Sequence, residues 1–135
     1  PFPLIPVKTR QALDAIRAPD GDALATALGA GAGGHVFLYC RETMNSAHHF
    51  YARMFAPGLG VIEDPATGSA VAAFAGAIMA FEKPEDGRTS IVIEQGYAMG
   101  RPSEIELMLD VQGGVLQAAY IGGSAVIVMK GEIDV

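Results

Sequence analysis

Apolar residues recur along the chain with two different periods, and the period separates helix from strand. The opening segment, residues 1–7, is apolar and proline-rich and reads as extended. Ala12, Leu13 and Ile16 then fall at helical spacing behind Thr9, an available N-cap, which predicts a short surface helix over 10–17. Asp20-Gly21 interrupts it, residues 22–28 supply a second short helix closed by Gly29, and a loop with glycines at 29, 31, 33 and 34 follows. Residues 35–40 and 48–55 are apolar runs on either side of a polar turn at 42–46 and read as neighbouring strands. Further on, residues 91–95 read as a strand, and Ile105, Leu107 and Leu109 alternate with Glu104, Glu106 and Asp110 in another. Residues 115–121 and 125–129 make two more, with turn signals at Gly113-Gly114 and Gly122-Gly123, so an antiparallel meander of hairpins is expected.

Residues 66–82 differ from all of these. They read as one helix of about five turns, yet apart from Ser69 no polar side chain lies between Thr67 and Glu82. A helix without a wet face is expected to be buried on all sides, and its alanines and glycines keep it thin enough for sheet to approach closely. The expected fold class is therefore α+β: a curved, mostly antiparallel, barrel-like sheet wrapped around a buried central helix.

Composition narrows the reading. The 135 residues are 50% hydrophobic and 18% charged, too apolar for a disordered chain and sufficient for one packed core, so a single domain over 1–135 is expected. Nine Lys and Arg against fifteen Asp and Glu leave a net charge of −6. The basic residues stand singly, which argues against a nucleic-acid surface and a polybasic membrane anchor, and the longest apolar stretch, 70–81, is too short to span a bilayer. One cysteine, Cys40, allows no internal disulfide. With no signal-peptide pattern a cytoplasmic location is expected, and the first residue, Pro1, fits a piece of a longer protein.

Several motifs carry no chemistry. The glycine-rich loop precedes a strand and lacks a following Lys-Ser/Thr, so it reads as a connector, not a phosphate cradle. Cys40 closes an apolar strand and reads as a small buried hydrophobe. His48 and His49 would point to opposite faces of a strand, with no carboxylate at ligand-like spacing, so no metal site is expected. The start of the long helix is different. The first-turn amides of Gly68, Ser69 and Ala70 lack intrahelical acceptors and carry the positive end of the helix dipole. Gly68 lets a ligand approach the backbone, Thr67 and Ser69 add hydroxyls, and Asp64 is a carboxylate able to orient or exchange a proton. The same residues admit a plainer reading in which Asp64 and Thr67 only cap the helix behind Pro65.

Glu63-Asp64-Pro65-Ala66-Thr67-Gly68-Ser69-Ala70, preceded by Arg53-Met54-Phe55-Ala56-Pro57 and followed by Gln95-Gly96 and Met99-Gly100-Arg101-Pro102-Ser103, resembles the PhzF family of phenazine-biosynthesis-like isomerases. The blocks keep the family's order and cover essentially the whole chain. The resemblance is to the second of two similar domains of the diaminopimelate epimerase fold, between which the family's active site lies. The first domain's early acidic residue, the family's general acid and base, and its Gly-His-Pro segment, which helps bind substrate, have no counterpart: His35 follows Gly34, but Val36 stands in place of proline.

The resemblance implies cofactor-independent isomerisation, by proton abstraction and return at carbon, of a small carboxylate-bearing, amino-acid-like or cyclic metabolite. By position in the motif, Asp64 is the catalytic candidate, and Thr67, Gly68, Ser69 and Arg101 are the substrate-binding candidates. Arg101 alternatively pins its own loop. Related epimerases carry a cysteine near the position of Asp64, so a two-thiol mechanism is not expected here. Gln95 and Gly96 are expected to shape the turn beside the site, and Glu63 to point away from Asp64. Two readings stand: the substrate-binding half of an isomerase that needs the N-terminal domain, in the same or a separate chain, or a non-catalytic anion-binding or interaction domain that kept the helix end. The first predicts a large apolar docking face, through which self-association into a homodimer is a further expectation, and the second a polar one.

Overall fold

A computed structural model describes residues 2–29 and 33–134. In chain order the elements are β1 (Leu4–Pro6), α1 (Arg10–Asp14), α2 (Gly21–Leu28), β2 (Val36–Cys40), β3 (Phe50–Ala56), β4 (Val61–Asp64), α3 (Gly68–Phe81), β5 (Gly87–Gln95), β6 (Ser103–Gln112) and β7 (Val115–Gly123). Short 3-10 turns at Pro57–Leu59 and Tyr97–Met99 precede β4 and β6. Gly31 of the glycine-rich loop lies outside the described residues.

The two sequence periods map onto two environments. β2 and β3 are apolar on both sides because both sides are covered. Phe37, Phe50, Ala52 and Met54 face α3, while Val36, Leu38, Cys40, Tyr51 and Phe55 join Leu13 of α1 in a second cluster on the opposite face. β6 alternates because only one of its faces is covered: Ile105, Leu107, Leu109 and Val111 pack toward α3, and Glu104 and Glu106 face solvent. The short helices are capped as their sequences direct. Thr9 Oγ1 accepts from the Ala12 amide at 3.1 Å, and Asp20 Oδ1 accepts from those of Asp22 and Ala23.

The sheet runs β1-β2-β3-β5-β6-β7, with β4 on β3. β1–β2 and β3–β5 are parallel and the other pairs antiparallel, so the sheet is mixed. The parallel β3–β5 pair requires a crossover, and α3 supplies it across one face of the sheet. One edge of β3 is shared by two strands: β5 pairs with its first half, with Ala52 opposite Gln95, and β4 with its second half, with Met54 opposite Asp64. The ends of β4 and β5 therefore meet.

Four expectations are corrected. The sheet is open, its path ending at β1 and β7, and does not close into a barrel. α3 buries Ala70, Val71, Phe74, Ala75 and Ile78 against the sheet, but Ala72, Gly76, Ala80 and Phe81 are exposed, because an open sheet covers one side of a helix only. No strand forms over 125–129 and no hairpin at Gly122-Gly123, since nothing among the described residues pairs with this segment; Val126, Ile127, Val128 and Met129 are 80–89% exposed. His48 and His49 precede β3 and do not belong to it: His48 Nδ1 reaches Glu94 Oε1 at 2.8 Å, and His49 Nδ1 accepts from the Val92 amide at 3.0 Å. Among the described residues no helix is long and apolar enough to cross a membrane.

Candidate functional site

Asp64 ends β4, Pro65 and Ala66 turn the chain, and Thr67 occupies the N-cap position of α3. A threonine there ordinarily turns its oxygen toward the second or third helical amide. Thr67 makes no such bond. Its hydroxyl donates to Asp64 Oδ2 at 2.6 Å, and its carbonyl accepts from the amides of Ala70 and Val71, both at 3.1 Å. The amides of Gly68 and Ser69 have no acceptor among the described residues, and they carry the positive end of the α3 dipole.

The turn is held from the neighbouring strand. Gln95, fully buried at the end of β5, accepts from the Thr67 amide through Oε1 at 3.2 Å. Its Nε2 donates to the Asp64 carbonyl at 2.7 Å and to Thr67 Oγ1 at 2.9 Å. The adjacent Gly96 has φ +79°, and a Cβ there would stand 2.2 Å from the Arg101 carbonyl oxygen and 2.9 Å from that of Pro65, so only glycine fits.

Beside this end of α3 opens a cavity of about 570 Å³, lined among others by Gly68, Tyr97, Ser103, Glu104 and Ile121. Burial pushes the Tyr97 hydroxyl above its ordinary value. Gly68 thus joins the helix end to the cavity, while Asp64, Thr67, Ser69 and Arg101 do not line it. Asp64 is half-buried, Thr67 buried and Ser69 exposed. The Arg101 side chain is exposed, and its backbone amide donates to the Gly96 carbonyl at 2.9 Å, closing the 96–101 loop.

Neighbouring polar residues face elsewhere. Glu63, one position before Asp64, points to the opposite side and takes a bidentate pair from Arg53. Cys40 is buried, donates to the Glu42 carbonyl at 3.4 Å, and has its thiol pushed up by burial, the wrong direction for a nucleophile. Two further residues escape the sequence reading. Tyr97 gives no signal beyond its closeness to the Gln95-Gly96 turn. Glu94, a carboxylate with no exposed surface, accepts from the amides of Met44 and Asn45 at 2.7 and 2.8 Å and carries His48; its only sequence trace is a charge ending an apolar strand.

The family model for phenazine biosynthesis-like proteins (PhzC-PhzF) matches residues 4–131. An uncharacterized isomerase of Mesorhizobium japonicum is 58% identical over 97 residues, covering 72% of this chain and 32% of that protein. The trans-2,3-dihydro-3-hydroxyanthranilate isomerase of Pseudomonas aeruginosa is 33% identical over 86 residues, covering 64% of this chain and 31% of its own length. A crystal structure of a Bacillus anthracis phenazine biosynthesis protein of the PhzF family superposes with a TM-score of 0.74 at 20% identity, over 88% of this chain and 44% of that one. The chain spans less than half the length of the proteins it matches.

Proposed function

The chain belongs to the phenazine biosynthesis-like (PhzC-PhzF) family, and from that premise we propose that it is the substrate-holding half of an isomerase that moves a proton between carbons of a small, carboxylate-bearing metabolite. The observation that carries this reading is the start of α3, where Gly68 lines a cavity sized for a small molecule, no described residue engages the amides of Gly68 and Ser69, and the Thr67 hydroxyl holds the Asp64 carboxylate just outside the cavity lining. In this reading the substrate carboxylate lies against those amides and the Ser69 hydroxyl. The reacting carbon then lies near Asp64, which helps relay or place the proton. Arg101 reaches the cleft from its loop only after its side chain reorients.

The remaining half of the active site then comes from the length that the relatives have and this chain does not. We propose that this length forms the first of two domains of diaminopimelate epimerase type and closes sheet around α3. The apolar surface left open supports it: Ala72, Gly76, Ala80 and Phe81 on α3, and the segment 126–129 beyond β7.

The test uses the gene product that carries this chain, at its encoded length. It is incubated in D2O with trans-2,3-dihydro-3-hydroxyanthranilate, and isomerisation with deuterium incorporation is followed by mass spectrometry. Isomerisation that carries carbon-bound deuterium and falls by roughly 100-fold or more in Asp64→Asn supports the reading. Isomerisation that Asp64→Asn leaves untouched contradicts the role of Asp64, and binding without any isomerisation favours a non-catalytic domain.

A further inference from the structure

We infer that Gln95 is a positioning residue that keeps the start of α3 open: it holds the Thr67 hydroxyl off the helix end, so that the amides of Gly68 and Ser69 stay free for the carboxylate of a ligand. The inference rests on the reading above that this helix end receives a carboxylate, and it adds the residue, 28 positions beyond Thr67, that keeps the end receptive.

The chain contains its own comparison. Thr9 and Thr67 both stand at the N-cap of a helix. Thr9 has the extended backbone usual at that position, φ −136° and ψ 154°, and its Oγ1 accepts from the Ala12 amide at 3.1 Å. Asp20, with φ −67° and ψ 142°, caps α2 in the same way. Thr67 has φ −112° and ψ 82°, and its side chain caps nothing. Residue type does not account for the difference between two threonines, so the cause lies in what surrounds Thr67.

Gln95 reaches this turn from β5 and has no exposed surface. At one end of its amide is the backbone N–H of Thr67, which can only donate; at the other is the backbone carbonyl of Asp64, which can only accept. Oε1 therefore faces Thr67 N and Nε2 faces Asp64 O, and the two bonds together fix the backbone of the turn between these residues. The second hydrogen of Nε2 points at Thr67 Oγ1, 2.9 Å away, and occupies one of its lone pairs. The hydrogen of the hydroxyl goes to Asp64 Oδ2 at 2.6 Å. Both bonds draw the oxygen toward the strands and away from α3.

The consequence is felt where the ligand lies. A threonine free to turn would satisfy a first-turn amide itself and compete with an anion for it. With the hydroxyl held, the amides of Gly68 and Ser69 have no acceptor among the described residues, and Gly68 lines the cavity. Gln95 does not line that cavity and acts through Thr67.

NMR of the gene product at its encoded length, titrated with benzoate, tests this. Gln95→Met keeps the length of the side chain and removes its donor and acceptor. It is expected to turn the Thr67 side chain, read from three-bond couplings to the methyl carbon, and to weaken benzoate binding at the Gly68 and Ser69 amides by roughly fivefold, the strength of one N-cap bond. Adding Thr67→Val removes the competing hydroxyl and is expected to restore the affinity to within about twofold of the unmodified protein, a recovery that a merely packing role for Gln95 would not give. A crystal structure of the unmodified protein without benzoate supplies a reading free of mutation, in which Thr67 Oγ1 is expected on Gln95 and Asp64.

An unmoved Thr67 or undiminished affinity in Gln95→Met, a loss that Thr67→Val does not recover, or a Thr67 hydroxyl seated on the Ser69 amide in the benzoate-free crystal overturns this inference alone. Failure of benzoate to reach Gly68 and Ser69 in the unmodified protein overturns the carboxylate reading, and this inference with it.

Discussion

Arg53 holds Glu63 through two parallel bonds, Nε to Oε1 at 2.8 Å and Nη2 to Oε2 at 2.9 Å, and both side chains are nearly buried. The remaining nitrogen of Arg53, Nη1, donates to the carbonyls of Leu13, Asp14 and Ile16 at 2.9, 3.2 and 2.7 Å, closing the end of α1. One guanidinium thus ties the helix on one face of the sheet to β4, the strand that delivers Asp64. Removing it leaves the carboxylate without its bidentate partner and takes a donor from three carbonyls, of which that of Leu13 keeps the Ile16 amide at 3.2 Å. Arg53→Ala is expected to lower stability by about 3–5 kcal/mol, and Arg53→Lys to recover only part of this because it cannot make the bidentate pair. Urea unfolding of the two variants checks it.

Glu94 anchors the loop before β3 in the same manner. Its two oxygens accept from Met44 N and Asn45 N, so Glu94→Gln sets an NH2 group against a backbone N–H. A cost of about 1–3 kcal/mol is expected, with hydrogen exchange quickened at Met44 and Asn45 and unchanged at α3. Equal quickening throughout the chain would show that the loop has no separate anchor.

Asp86 gives the pH dependence. It is exposed, and its oxygens accept from the amides of Gly113 and Gly114 at 2.7 and 2.9 Å, which lower its proton affinity below the ordinary value of 3.8. A carboxylate depressed by folding contributes stability above its unfolded value and loses that contribution as pH falls through the folded one. The β6–β7 turn is therefore expected to loosen only below about pH 4, seen as faster exchange of the Gly113 and Gly114 amides relative to neighbouring strand amides. In Asp86→Ala that difference is already present at neutral pH.

Gly76 sits on the exposed face of α3, and a Cβ there meets nothing within 4 Å. Gly76→Ala is expected to stabilise this chain by about 0.5–1 kcal/mol through helix propensity. Gly76→Arg is expected to be tolerated by the isolated chain and to destabilise the encoded-length protein, if sheet from the other half covers this face. Thermal melts of both lengths decide it, and a harmless Gly76→Arg at full length would remove that proposed contact.

Local elements were legible in the sequence because each rests on a local cause. The two apolar strands, the alternating β6, the Thr9 cap and the long apolar helix all match their patterns. Pairing was less legible, since a period of two marks a strand without naming its neighbour. The parallel partners of β1 and β5 and the short β4 therefore went unread, and 125–129 looked like a strand although no edge receives it. An apolar helix predicts burial on all sides, yet exposing alanines and glycines costs little, so the face of α3 with Ala72, Gly76 and Ala80 stays open. At the site, residues 64–69 stood out as one contiguous motif. The Gln95–Thr67 contact did not, because it depends on β4 and β5 sharing one edge of β3.

Whether the start of α3 receives a carboxylate is tested most directly by amide NMR of the 135-residue chain titrated with benzoate, with neutral benzamide as control. Saturable shifts led by the Gly68 and Ser69 amides are expected with benzoate, and none of that pattern with benzamide. Benzoate shifts that spare Gly68 and Ser69, or equal shifts with both compounds, would contradict it.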